Sequence, residues 1–192
     1  MYLIPDFKIG IWNAWTFMSV FMVQMLVIMF AGDRVRKRSH VPIEVKRRRL
    51  ERYTGVIANI VWLIALVYSI FLPFKLSTVW FYAGLPVFVI GLTILTIATY
   101  NFISTPADKM IIQGVYKLSR HPMYLATFFI CLGAGISSGS WIFIFLSVFM
   151  GLCFHKEALV EEKYCLHKYG NAYQEYLDRV PRWIGIPRSI VF

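Results

Sequence analysis

The sequence predicts an all-α integral membrane protein: five transmembrane helices, N-terminus outside, and a helical tail in the cytoplasm. Three observations predict it. The 192 residues are 58% hydrophobic and only 16% charged, where soluble domains carry about 25% charged residues. The apolar residues gather into five stretches, each long enough or nearly so to cross about 30 Å of hydrocarbon, which takes about 20 helical residues. The net charge of +10 sits between those stretches and in the C-terminal tail, as suits cytoplasmic loops facing anionic headgroups.

The first stretch, residues 11–31, follows an N-terminus without the basic region and small-residue cleavage site of a signal peptide, so it is expected to remain as an anchor. Residues 55–74 and 79–102 form the second and third. The fourth and fifth, 123–136 and 141–154, are short. Ser137-Ser138-Gly139-Ser140 joins them by a tight turn, so they are expected to cross as a hairpin. Pro86 and Gly133-Ala134-Gly135 break helices in water; within a bundle they mark a kink or a close helix contact. Beyond Phe154 the pattern predicts an amphipathic helix over 155–169 that Gly170 ends. Asn171 would cap a last helix over 172–180, stopped by Pro181. The chain reads as one membrane domain, 1–192.

Orientation follows from the basic residues. Residues 33–53 hold nine, the loop 103–121 holds three, and the tail from Lys156 holds six, eighteen of the twenty in all. Five crossings put these eighteen on one side, which the positive-inside tendency makes the cytoplasm. Trp12, Trp15, Trp80 and Trp141 then fall together near the outer interface, as an aromatic belt requires. Nucleic-acid binding is the competing meaning of a basic chain, but no module of aromatic and basic residues accompanies the charge. Cys131, Cys153 and Cys165 have neither CxxC nor zinc-ligand spacing, so no disulfide and no metal is expected.

Polar groups beside hydrocarbon are candidates for function. Arg120-His121-Pro122-Met123-Tyr124 stands at the mouth of the fourth stretch. Pro122 is a good first helical residue, so the segment can be an ordinary interfacial helix start. Alternatively His121 and the backbone amides at the helix N-terminus form a site for a polar or anionic ligand. Glu161-Glu162 lies just past the fifth stretch, either as a solvated face or as a carboxylate receiving hydroxyl or ammonium groups. The segment from Lys109 to Tyr116, with Gly114 for a turn, either dips to the interface or walls a pocket. Arg179 and Arg182 flank Pro181, and either meet lipid phosphates or pair with an anionic substrate group.

The order Asn101, Gly114-Val115-Tyr116, Arg120-His121-Pro122-Met123-Tyr124, hairpin, Glu161-Glu162, Tyr169-Gly170, Tyr173, Tyr176, Arg179, Val180, Pro181 resembles the isoprenylcysteine carboxyl methyltransferase family and its phospholipid methyltransferase relatives. The resemblance covers residues 101–186, which would form the catalytic and cofactor-binding region. It implies a membrane methyltransferase using S-adenosyl-L-methionine, with the cofactor site on the cytoplasmic side. By position, Asn101, the backbone of Asp108, Lys109, Met110 and Ile111, then Tyr116, His121, Pro122, Met123, Tyr124 and Glu161 would contact the cofactor. Arg120, or an arginine of the tail such as Arg179, would orient the acceptor. Where isoprenylcysteine enzymes place an arginine that reads the substrate carboxylate, this chain has Glu157, with Lys156 beside it.

The implied partners are membrane lipids and a lipophilic acceptor. A carboxylate acceptor, as in isoprenylcysteine methylation, needs no general base, so alignment and exclusion of water would carry catalysis. A lipid amine must lose a proton, which calls for a base such as Glu162 or His121. The sterol reductases that use NADPH are similar in outline at the C-terminal region, but they have twice as many helices. The non-enzymatic alternative is a membrane scaffold or channel subunit. Asn13, Gln24, Asn59 and Asn101 are the strongest polar groups in or beside the stretches, and none of the five holds a charge at depth, which argues against ion transport.

Overall fold

The computed structural model describes residues 8–32, 35, 49–106 and 108–185, giving backbone alone for 49–52. Most of the basic loop over 33–53, residues 1–7 and Arg188 lie outside the described residues. Among the described residues six α-helices can be given bounds: α1 (Trp15–Phe30), α2 (Arg49–Ile70), α3 (Val79–Ser104), α4 (Pro122–Ser137), α5 (Trp141–Tyr169) and α6 (Asn171–Arg179), with a 3-10 turn, Gly114–Lys117, between α3 and α4. Among the described residues the one bridge of β type pairs Asn13 with Pro73.

Helix α4 is the axis of the bundle. None of its residues is fully exposed, and it packs most extensively on α3, then on α5. Glycine explains how closely α3 approaches. A Cβ on Gly133 would stand 2.6 Å from the backbone nitrogen of Phe88, and one on Gly91 would stand 2.8 Å from that of Ile130. Helix–helix association in lipid relies on such close backbone contact, since burial of apolar surface gains little there. Gly135 meets Ile144 of α5 in the same way, at 3.0 Å. Gly133 and Gly135 therefore mark close helix contacts. Large apolar side chains such as Met25, Leu63, Ile90 and Phe145 point outward, toward what would be lipid.

The segment Tyr53–Ile70 and helices α3 and α5 are long and apolar enough to cross a membrane. Helices α1 and α4 are apolar but have 16 residues each, about 24 Å of helix. The first helix begins four residues later than the apolar stretch, at Trp15, and the second begins earlier and ends four residues sooner, at Ile70. Residues 11–14 and 71–74 instead pair with each other: Ala14 N–H donates to Leu72 O (2.8 Å) and Phe74 N–H to Trp12 O (2.9 Å). Asn13, 2% exposed, donates from Nδ2 to Ile70 O (2.7 Å) and closes the end of α2. Pro73, without an N–H, has no ladder hydrogen bond to give an extension of α2. At this same end Ser140 caps α5 by accepting from Phe143 N–H, and Gly139 turns the chain with φ +61°.

Two expectations for the tail are corrected. Residues 155–169 are no separate helix but the continuation of α5, which runs 29 residues without a break. Polarity changes at His155, yet nothing there interrupts the backbone ladder. The N-cap of α6 is Gly170, not Asn171, and no side chain caps it. Gly170 has φ +57°, ends α5, and begins α6 in one residue.

Candidate active site

The C-terminal segment folds back on the start of α4. Arg120 N–H donates to Pro181 O (3.1 Å). Ser119 Oγ donates to Arg182 O (3.1 Å) and accepts from the His121 N–H (3.2 Å). His121 is thereby fixed as the N-cap residue of α4, with the fully buried Pro122 at the first helical position.

Glu161 and Glu162 approach this segment from α5. The imidazole of His121 lies between them, Nδ1 3.3 Å from Glu161 Oε2 and Nε2 3.3 Å from Glu162 Oε1. Tyr124, one helical turn further along α4, donates its hydroxyl to Glu161 Oε1. Its ring lies parallel to His121 and to Phe154, centroids 5.7 and 4.8 Å apart. Burial pulls the His121 imidazole down, but its hydrogen bonds and charge contacts with the two carboxylates outweigh this and raise its pKa above the ordinary value.

The adjacent carboxylates have different surroundings. Glu162 accepts from Arg182 Nε (2.9 Å) and Nη2 (2.7 Å), a two-pronged pairing that guanidinium geometry favours. Arg120 Nη2 adds a third cationic contact at 3.3 Å. With its lone pairs so engaged, Glu162 is poorly placed to serve as a base. Glu161 keeps 34% of its side chain exposed and can receive further donors.

The loop over 108–117 walls the other side. Gly114, φ +58°, begins the 3-10 turn against Asn101, whose Oδ1 would lie 2.1 Å from a Cβ there. That Asn101 oxygen is buried and has no hydrogen-bond partner among the described residues. Tyr176 Oη donates to Tyr116 O (2.7 Å), tying loop to tail. Met110 packs against the buried Tyr173, Tyr176 and Val180. Desolvation raises the pKa of both tyrosines.

The structure thus brings together Arg120, His121, Pro122, Tyr124 and Glu161, and joins Asn101, Met110 and Tyr116 to them through loop and tail. Met123 and Ile111 are half-buried beside these. The side chains of Asp108, Lys109 and Lys156 are exposed, and Glu157 is half-buried one turn before Glu161. Arg179 pairs with Glu175 (3.5 Å) on the exposed face of α6, and none of its contacts reaches His121. Among the described residues Arg182 is the tail arginine that enters the cluster. Trp183, which no sequence motif singled out, also joins the cluster: its ring lies 6.3 Å from His121 and 6.1 Å from His155. Arg120 turns its guanidinium to Glu162 and to Leu177 O (3.4 Å), so it holds the tail.

Residues 79–172 match the family model described as phospholipid methyltransferase. The chain is 36% identical over 76 residues to a Delta(14)-sterol reductase of Mus musculus, covering 38% of this chain and 18% of that protein. It is 30% identical over 79 residues to a Protein-S-isoprenylcysteine O-methyltransferase of Schizosaccharomyces pombe, covering 41% of this chain and 33% of that protein. These matches span a third or less of the length of either relative. A buried histidine–carboxylate cluster, assembled from α3, α4, α5 and the tail, is built largely from the stretch that carries the match. Through that stretch the chain resembles the phospholipid methyltransferase family and, in part, an isoprenylcysteine O-methyltransferase.

Proposed function

We propose that the protein moves a methyl group from S-adenosyl-L-methionine to a lipophilic acceptor, a carboxylate as in isoprenylcysteine methylation, and releases S-adenosyl-L-homocysteine. The observation that carries this reading is the meeting of Arg120–Tyr124 with Glu161-Glu162 in one cluster, within the stretch that matches the family. The residues suit such a cofactor: the buried Asn101 oxygen has no partner among the described residues, and the Glu161 carboxylate is part-exposed beside His121. Asn101, the backbone of residues 108–111, Tyr116, His121, Pro122, Met123, Tyr124 and Glu161 would hold it. Bound there, it supplies a methyl group on a sulfonium.

The catalytic region on this reading is 101–186. All five apolar helices cross, the N-terminus lies outside, and the cluster faces the cytoplasm, where the cofactor is dissolved. The acceptor comes from the bilayer. A carboxylate acceptor is already nucleophilic, so the protein's part is to align it and exclude water. Arg120 takes part as a positioning residue, through the tail and Glu162. A lipid amine is the second reading, favoured by the description of the matching family model. It calls for a proton acceptor, and Glu161, bonded to Tyr124 and His121, is the carboxylate with room for that role.

Titration calorimetry of the full chain in detergent with S-adenosyl-L-homocysteine tests the reading. Wild type is expected to bind. Glu161→Gln and His121→Ala, folded by circular dichroism, are each expected to bind at least tenfold more weakly, since a hydrogen bond to a charged group contributes about 1.5–3 kcal/mol. No binding by the wild type leaves a scaffold and removes the enzyme reading; unchanged binding by both variants removes this cluster as the cofactor site. Labelled cofactor offered with prenylcysteine analogues and aminophospholipids side by side separates the two acceptors.

A further inference from the structure

Of the four amides in or beside the apolar stretches, three have a place inside the molecule. Asn13 bonds to the end of α2, Gln24 donates to Thr99 Oγ1 of α3 (3.0 Å), and Asn101 is buried in the candidate site. The exposed Thr93 and Thr96 bond back to carbonyls of their own helix. Asn59 is different. It lies within the span Tyr53–Ile70, six residues or about 9 Å from its first residue, is exposed, and bonds to no described residue. The inward face of α2 consists of Ala58, Val61, Ala65 and Ser69. Asn59 stands on the other face, among Val56, Ile60, Leu63, Val67 and Ile70, all exposed.

We infer that this face of α2 is the contact between two copies of the chain, with the two Asn59 side chains hydrogen-bonded to each other across it. Hydrocarbon offers an amide no partner, so an outward amide at this depth calls for another polypeptide. The carboxamide carries both acceptor and donors, and an identical side chain related by a two-fold axis satisfies both at once. Two-fold pairing of like surfaces is the commonest oligomer symmetry. A charged partner residue is not required by an uncharged amide. The apolar residues around Asn59 recur at intervals of three and four along the helix, the pattern of a helix–helix seam. Gly55, one turn before Asn59, leaves room for the backbones to approach.

The test uses the full chain, dye-labelled at a C-terminal tag and reconstituted into phosphatidylcholine vesicles over a range of protein-to-lipid ratios. Counting photobleaching steps gives the dimer fraction. Wild type is expected to dimerise as the ratio rises. Asn59→Leu, which removes only an outward polar group, is expected to need about tenfold more protein for the same dimer fraction, while Asn59→Gln stays near wild type. A cysteine at position 59 should cross-link two chains, and one at position 58, on the inward face, should not. The inference is overturned if Asn59→Leu dimerises as wild type does. It is equally overturned if wild type stays monomeric at every ratio, which would assign the face to lipid or to a different protein.

Discussion

Glu161 and Glu162 are neighbours, yet about 100° of helix rotation separates their side chains and gives them different partners. Glu162 holds the C-terminal segment: Arg182, Arg120 and His121 converge on it. Removing one cation leaves a largely buried carboxylate short of compensation. Arg182→Gln is expected to lower the stability of the detergent-solubilised protein by about 1–3 kcal/mol, read as a fall in melting temperature. Glu162→Gln combined with Arg182→Gln should recover part of that loss, and a double-mutant cycle measures the coupling. The meeting of Arg120–Tyr124 with Glu161-Glu162 was legible in the sequence, because a short hairpin returns the chain to the side it left. The choice between Arg179 and Arg182 was not. They stand three residues apart around Pro181, and only the path of the tail decides that one faces Glu162 while the other meets Glu175.

At the scale of elements, the pairing of α3 with α4 rests on missing side chains. Gly133→Val would drive two methyl groups into the backbone of α3 around Phe88, where the neighbours are main-chain atoms that cannot turn aside. Overpacking of this kind costs about 1–3 kcal/mol, so a lower melting temperature is expected in thermal scans. Gly151→Ala is the control, since its Cβ would meet only the ring edge of Phe128 at 3.2 Å and a near-neutral effect is expected. Helix boundaries were less legible than helix existence. Residues 11–14 and 71–74 are apolar enough to extend α1 and α2, but they bond to each other across the chain, and periodicity cannot reveal a distant backbone partner. The boundary at His155 failed for the opposite reason: a change from apolar to amphipathic pattern is not a break in the backbone.

For the molecule as a whole, the proposed orientation makes a separate prediction. In sealed right-side-out vesicles, a cysteine replacing Ser77, between α2 and α3, should react with a membrane-impermeant thiol reagent. A cysteine replacing Gln174 should react only after permeabilisation. The reverse pattern would turn the protein over and put the cluster outside. Charge distribution and apolar length made the membrane class plain from sequence; which helices are fully long enough emerged only from the folded chain. The unbroken α5 has one more consequence. Twenty residues separate Trp141 from Glu161, a rise of about 30 Å at 1.5 Å per residue, close to the thickness of the hydrocarbon layer. On the proposed orientation the helix would act as a measuring rod: with the tryptophan seated at one boundary, its length would set the carboxylates at the other. Having no joint along that length, it would tie the level of the cluster to the thickness of the surrounding lipid.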